Sequence, residues 1–165
     1  MFDVNDTLMY GSFGVCRVEA IEMRDFMGAE REYYVLRHLF SPNNTFYVPV
    51  DSETAVRQLH TVCSKKTAEE LIGQIRSEAP RWTADDAARK AEYSRIIDSA
   101  DRLEMLRQMK ALLLHRRELT ENGKKLHSSD ERFLSIAGNI LSEEFAYALG
   151  TDRSEALRYI EEHLV

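Results

Sequence analysis

The side chains that most often carry chemistry are scattered along this 165-residue sequence. No two of its five histidines have the i, i+4 spacing that places both on one helix face around a metal. They are His38, His60, His115, His127 and His163. Cys16 and Cys63 stand alone, outside any CxxC pair, and we expect both to be packing residues. The spacing therefore predicts neither a metal centre nor a bound cofactor.

Adjacent carboxylates and one glycine-rich segment are the other candidates for catalysis. Neighbouring residues diverge around a helix, so we interpret the acidic pairs as solvated faces. The pairs are Glu69-Glu70, Asp85-Asp86, Glu143-Glu144 and Glu161-Glu162. Gly11-Ser12-Phe13-Gly14 is not followed by a helix amino terminus, so we interpret it as a turn and not as a phosphate loop. Because GxxxxGKS, GxGxxG and GxSxG motifs are also absent, we predict that the chain is not an enzyme.

The charge distribution limits how this chain can meet nucleic acid. The sequence carries 22 basic and 28 acidic side chains, a net charge of −6, and its pI is about 5.4. Sequence-independent DNA binding depends on lysine and arginine neutralising phosphates. We therefore expect any DNA contact to be weak and assisted. Only residues 63–132 are mildly basic, with 15 basic and 13 acidic side chains.

Hydropathy and the start of the chain bear on where the protein acts. No apolar run approaches the roughly 20 residues that span a bilayer, and the first ten residues lack the pattern of a secretion signal. We predict a cytoplasmic protein without membrane contact. No coiled-coil seam is visible, and we expect a monomer.

Strand-forming and turn-forming residues alternate through the first sixty positions. β-Branched and aromatic side chains concentrate at residues 14–23, 32–39 and 45–50. Gly28 and the Asn43-Asn44 pair supply turns between these segments, since glycine and asparagine tolerate positive φ. Several short strands with tight turns predict a small twisted sheet or barrel.

Helical periodicity replaces this pattern after residue 64. Thr67, followed by Glu70 three residues later, predicts a capped helix that Pro80 stops. A second helix is expected from Thr83, with two aspartates in its first turn, where the helix dipole favours anions.

Three further apolar patterns predict three more helices. The first ends at the Asn122-Gly123 turn, the second stops at Gly150, and the third covers residues 156–164. The second is the strongest stripe in the chain. Its members are Phe133, Ile136, Ala137, Ile140, Leu141, Phe145, Ala148 and Leu149.

Four short motifs follow one another in the predicted β half. They are Tyr10-Gly11-Ser12-Phe13-Gly14-Val15, Val18-Glu19-Ala20-Ile21-Glu22-Met23-Arg24, Arg31-Glu32-Tyr33-Tyr34-Val35-Leu36 and Phe46-Tyr47-Val48-Pro49-Val50-Asp51. In this order and spacing they resemble the CarD/CdnL family of bacterial transcription regulators and the related polymerase-interaction module of transcription-repair coupling factors. Trp82, the lone tryptophan, and the stripe at residues 141–149 extend the resemblance into the helical half.

The resemblance implies an α+β chain of two domains. Residues 1–62 would form a Tudor-like or SH3-like small β-barrel, and residues 63–165 an all-α helical domain. In such regulators the barrel pairs edge to edge with a strand of the RNA polymerase β subunit. The helical domain lies against promoter DNA. Both are therefore expected partners, and the protein would associate with the nucleoid through RNA polymerase.

The resemblance also implies which residues meet the polymerase. Arg24 matches the arginine with which family members contact it. Better-known members place another basic residue where this chain has Tyr47. Aromatic side chains are favoured interface anchors, so we assign both Arg24 and Tyr47 to polymerase binding. The alternative for Arg24 is a solvated charge at a strand end.

Trp82 carries the predicted DNA contact. Family members use this tryptophan as an apolar wedge in the minor groove at the upstream edge of the −10 element. Arg81, Arg89 and Lys90 are assigned to phosphates. The alternative for Trp82 is a core residue that fixes the linker helix to the bundle.

Three other interpretations stay open. The chain could be a polymerase-binding adaptor without DNA contact that recruits or blocks another protein factor. In the second, four aromatic side chains form a cage that binds a cation; the alternative is that they are part of the barrel core. Its members would be Tyr33, Tyr34, Phe46 and Tyr47. In the third, the basic pairs Arg116-Arg117 and Lys124-Lys125 contact DNA phosphates; the alternative is that these charges only solvate a loop.

Overall fold

Alternating apolar side chains build the first part of the chain into an antiparallel sheet. The computed structural model describes residues 1–165, which divide into two units, Met1–Val62 and Cys63–Val165. The first unit holds β1 (Thr7–Tyr10), β2 (Gly14–Phe26), β3 (Ala29–His38), β4 (Thr45–Pro49), α1 (Glu53–Val56) and β5 (Leu59–Thr61). Its core lies on one face of the sheet. The buried members are Leu8, Cys16, Val18, Tyr34, Leu36, Val48 and Leu59.

The five strands lie in the order β4-β3-β2-β1-β5, and every neighbouring pair is antiparallel. The predicted α+β class is confirmed. The amino-terminal strands form an open antiparallel sheet, so the predicted barrel is not closed. Closure requires the two outermost strands to pair. Here β4 and β5 are the two edges, and β5 has only three residues, which pair with β1.

A register shift decides which side chains of the long β2–β3 hairpin face the core. The core-facing residues of β2 occupy even positions up to Val18, where the register shifts before Ala20. Beyond this bulge, Ile21 lies opposite the core residue Tyr34. Since one extra residue exchanges the two faces of a strand, Arg24 lies on the face opposite the core.

The turn that joins β2 to β3 has two residues, Met27 and Gly28. Both have positive φ, 60° and 81°, as in the mirror-image turns whose twist matches that of a hairpin. The turn predicted at Gly28 is thus confirmed. The strands on either side reach three residues further towards the tip than the apolar pattern indicated. The pattern missed these strand ends because residues 24–31 are mostly charged or small.

The second unit is all helical. It contains α2 (Lys65–Ser77), α3 (Asp86–Ser99), α4 (Arg102–Glu121), α5 (Ser128–Leu149) and α6 (Arg153–Leu164). Its core draws on every helix, with Ile75, Ile96, Leu106, Leu141, Phe145 and Ile160 almost wholly buried. No helix is long and apolar enough to cross a membrane.

Two helix starts differ from the sequence prediction. Helix α2 is capped by Ser64, whose Oγ accepts from the N–H of Thr67. The capping residue is therefore three positions earlier than the predicted Thr67. Helix α3 is capped by Asp85 and not by Thr83. Serine, threonine and aspartate all cap well, so a cluster of these residues predicts the first residue of a helix only to within a few positions.

Two side chains of α4 hold the carboxyl end of α2. The Nζ of Lys110 donates to the carbonyl oxygens of Ile75 and Arg76, each at 2.9 Å. The Arg107 guanidinium donates to both carboxylate oxygens of Glu78, at 2.7 and 2.9 Å. Cations at a helix carboxyl end satisfy carbonyls that have no partner within the helix.

The ion pair between Glu78 and Arg107 predicts a pH dependence. Hydrogen bonds from Arg107 and then Gln74 lower the pKa of Glu78 to about 2. Because this value is below that of the unfolded chain, the pair stabilises the fold above about pH 4.5, and the contribution is lost as the pH falls towards 2. An NMR titration of the Glu78 carboxyl carbon measures the pKa.

The variant Arg107→Ala should raise the pKa of Glu78 towards its ordinary range, with the Gln74 hydrogen bond left in place. The variant Arg95→Ala, which removes an arginine paired with Glu92, is the control and should leave Glu78 unchanged. An equal response to both substitutions would contradict the assignment to the Arg107 pair.

Candidate interaction surfaces

Aromatic side chains and one arginine form a cluster on the face of the hairpin opposite the core. Phe26 lies 5.0 Å from Tyr33 and 5.2 Å from Tyr47 between ring centroids, both edge to face. The guanidinium carbon of Arg24 lies 5.8 Å from the ring centroid of Tyr47. We call these four residues the outer-face cluster. The two residues assigned to the polymerase are thus in contact distance of each other.

The outer-face cluster combines exposed apolar area with an accessible cation. Phe26 and Tyr47 are each 41% exposed, and the side chain of Arg24 is 48% exposed. Glu22 accepts from Arg24 at 2.8 Å, and this hydrogen bond raises the pKa of the guanidinium. Arg24 therefore stays charged and oriented while one side of it remains open to solvent.

The strand that carries Tyr47 is an open edge of the sheet. The His38 N–H donates to the carbonyl of Asn44 at 3.1 Å, which fixes one hydrogen-bonded pair between β3 and β4. In an antiparallel ladder such pairs alternate with outward-facing ones. Thr45 and Tyr47 therefore direct their N–H and C=O groups away from β3. Pro49, which has no N–H, ends this edge.

The proposed aromatic cage is contradicted. Tyr33 and Tyr47 lie on the outer face, whereas Tyr34 belongs to the core and is 2% exposed. Phe46 packs against the core and lies 5.4 Å from the ring of Tyr10. Successive residues of a strand point to opposite faces, so the four rings cannot converge on one ligand.

Trp82 lies between α2 and α3, partly packed and partly open. Its ring stacks on that of His115, with centroids 4.0 Å apart and planes 31° from parallel. The guanidinium carbon of Arg89, a residue of α3, lies 4.6 Å from the centroid of the Trp82 ring. The residue remains 39% exposed. This position is compatible with the wedge and with the packing interpretation, and both stay predictions.

Arg89 does not suit the phosphate contact assigned to it. Its side chain is 4% exposed. The guanidinium donates to both carboxylate oxygens of Asp130 at 3.2 Å, to Asp86 at 2.9 Å, and to the carbonyls of Thr83 and Ala84 at 3.0 Å. All five donors of an arginine are used in this way. The assignment of Arg89 to DNA is therefore corrected to a structural role. Asp130 lies 41 residues away, so no local sequence signal indicates the pair.

The other basic residues near Trp82 are accessible. Arg81 is exposed, and the side chain of Lys90 is 55% exposed and lies 2.8 Å from Asp86. Lys124 and Lys125 are also exposed, next to Gly123 with φ of 68°.

No three histidine, cysteine or acidic side chains are grouped so that they could hold a metal ion.

Comparison with known proteins identifies the β unit. The family model for the CarD-like/TRCF RID domain, in which RID denotes the RNA polymerase interaction domain, matches residues 2–60. No curated protein matches the chain. The helical unit lies outside the matched range, so its likeness to the helical half of these regulators stays a prediction.

Proposed function

We propose, on the premise that residues 2–60 form a CarD-like/TRCF RID domain, that the chain is a CarD-like regulator that binds the polymerase β subunit and modulates open-complex stability at promoters. The observation that carries the proposal is the outer-face cluster beside the open β4 edge. A polymerase partner places the protein at the nucleoid, in the bacterial cytoplasm.

Docking through this surface would combine two kinds of contact. The outward N–H and C=O groups of Thr45 and Tyr47 suit a short strand added from the β subunit. Arg24 and the rings of Phe26 and Tyr47 would then meet side chains of that strand and its neighbours. Main-chain pairing supplies affinity, and the arginine and aromatic anchors supply specificity.

The helical unit would act on DNA only while it is held there. It carries 17 basic and 19 acidic side chains, so its free affinity for DNA should be weak. Docking on the polymerase raises its effective concentration at the promoter to roughly millimolar. Trp82, with Arg81 and Lys90 nearby, is the contact we propose. Contacts made only in the open complex shift the equilibrium towards opening, about tenfold for each 1.4 kcal/mol.

The test is the lifetime of the open complex on a promoter fragment with cognate polymerase holoenzyme. We expect the wild-type protein to lengthen the lifetime and Trp82→Ala to lose most of that effect while still binding polymerase. Because Trp82 also packs on His115, circular dichroism must show that the variant keeps its fold. Retention of the full effect by a folded Trp82→Ala variant would contradict the wedge.

A second candidate is an adaptor that holds polymerase and binds another protein factor without touching DNA. The observation that favours it is the burial of Arg89 together with the acidic Asp85 and Asp86 beside Trp82. Acidic groups next to phosphates repel them. Polymerase binding with no change in open-complex lifetime would select this function.

We also propose that the protein acts by binding and not by catalysis. Its two cysteines are buried. Burial and the neighbouring Glu144 raise the pKa of Cys63 to about 12, so this thiol carries almost no thiolate at neutral pH. Incubation with polymerase and promoter should leave both partners chemically unchanged by mass spectrometry.

A further inference from the structure

A groove between α3 and α5 has a floor and a rim of different chemistry. Its volume is about 380 Å³. The floor is formed by Tyr93, Phe133 and Ile136, and the rim by Lys90, Ser129 and Arg132. Nothing in the polymerase or promoter contacts proposed above uses its floor.

The floor of the groove is rigid before any ligand arrives. The rings of Tyr93 and Phe133 stack with centroids 4.4 Å apart and planes 22° from parallel. The Tyr93 hydroxyl donates to Asp130 at 2.6 Å, in the network that also holds Arg89. A preformed apolar surface costs little conformational entropy when a side chain packs on it.

The rim of the groove carries two basic side chains, Lys90 and Arg132. The Oγ of Ser129 is buried and has no hydrogen-bond partner. Helix α5 begins just there without a side-chain cap, because its N-cap residue is His127. Arg132 is exposed and forms no ion pair. Asp130 and Glu131 already lie in the first turn of α5, so the exposed guanidinium of Arg132 is the group that calls for a negatively charged acceptor.

We propose that this groove binds an acidic amphipathic helix of a partner protein. Apolar side chains from one face of that helix would pack on Tyr93, Phe133 and Ile136, and a carboxylate would accept from Arg132. Helix-in-groove recognition uses such anchors at i, i+3 and i+4. DNA fits less well, because an apolar floor offers nothing to phosphates.

The test uses a fluorescein-labelled helical peptide, about 14 residues long, with leucines along one face and glutamates beside them. Fluorescence anisotropy with the full chain should give a Kd of about 100 μM or tighter. The variant Arg132→Glu should weaken binding about tenfold. The matched variant Arg158→Glu reverses an exposed charge on α6 and should change binding less than about twofold. A peptide with lysine in place of glutamate should not bind.

Equal losses for Arg132→Glu and Arg158→Glu would show bulk electrostatics and overturn the proposal, as would absence of binding at about 1 mM peptide. Displacement of the peptide by duplex DNA, with DNA binding lost in Arg132→Glu, would make the groove a nucleic-acid surface. These measurements need neither polymerase nor promoter, so their failure is independent of the proposed function.

Discussion

Replacing Asp130 by alanine is expected to lower the free energy of unfolding of the helical unit by about 3 to 5 kcal/mol. Asp130 is 1% exposed and accepts hydrogen bonds from Arg89 and from the Tyr93 hydroxyl. Its removal leaves a buried guanidinium with Asp86 as its one remaining carboxylate partner. The cost is the desolvation of that uncompensated charge, which is larger than the net stabilisation from the intact pair.

Urea denaturation followed by Trp82 fluorescence measures this effect in the helical unit, because Trp82 is the only tryptophan and lies over Arg89. Asp98→Asn on α3, an exposed carboxylate, is the control and should stay within about 0.5 kcal/mol of wild type. The double variant Arg89→Met with Asp130→Leu should recover most of the loss, since two apolar residues leave no charge buried. A loss below about 1 kcal/mol for Asp130→Ala would mean that water or a rearranged carboxylate compensates Arg89.

Elements whose causes are local could be predicted from the sequence. Gly28 indicated a hairpin turn because few residues adopt positive φ, and the turn is there. The apolar stripe before Gly150 predicted a helix, and α5 ends at that glycine with φ of 67°. In both cases the residues that give the signal also form the element that it predicts.

Features that depend on distant residues could not be predicted. The charge on Arg89 suggests a surface position until Asp130 is known to lie beside it. The bulge at Glu19 has no composition signal, yet it places Arg24 opposite the core. The failure of the sheet to close has the same origin, because pairing of β4 with β5 depends on the lengths and directions of all five strands.

The variant Arg24→Glu is expected to weaken binding to the polymerase β subunit about 30-fold or more, which corresponds to about 2 kcal/mol. Reversal of the charge places a second carboxylate beside Glu22 and removes the cation that lies over Tyr47. The side chain is half exposed, so the fold should be unaffected. Surface plasmon resonance with immobilised β-subunit lobe measures the Kd. Arg57→Glu, at the C-cap of α1 and 80% exposed, is the matched control and should bind within about twofold of wild type.

Tyr47 tests whether the cation and the ring act as one unit. Tyr47→Ala should also weaken binding, because it removes an exposed aromatic anchor and the surface on which Arg24 rests. Two groups that share a contact lose less in combination than the sum of their separate losses, so the double variant should fall short of additivity by at least about 0.5 kcal/mol. Tyr47→Arg should bind more tightly than Tyr47→Ala, since the resemblance implies a basic residue at this position in better-known members. Strict additivity would mean that the cation and the ring act independently. No loss in Arg24→Glu and in Tyr47→Ala would mean that polymerase meets a surface other than the outer-face cluster. The open edge of β2 beyond Val18, where β1 no longer pairs with it, would then be the surface to examine by substitution.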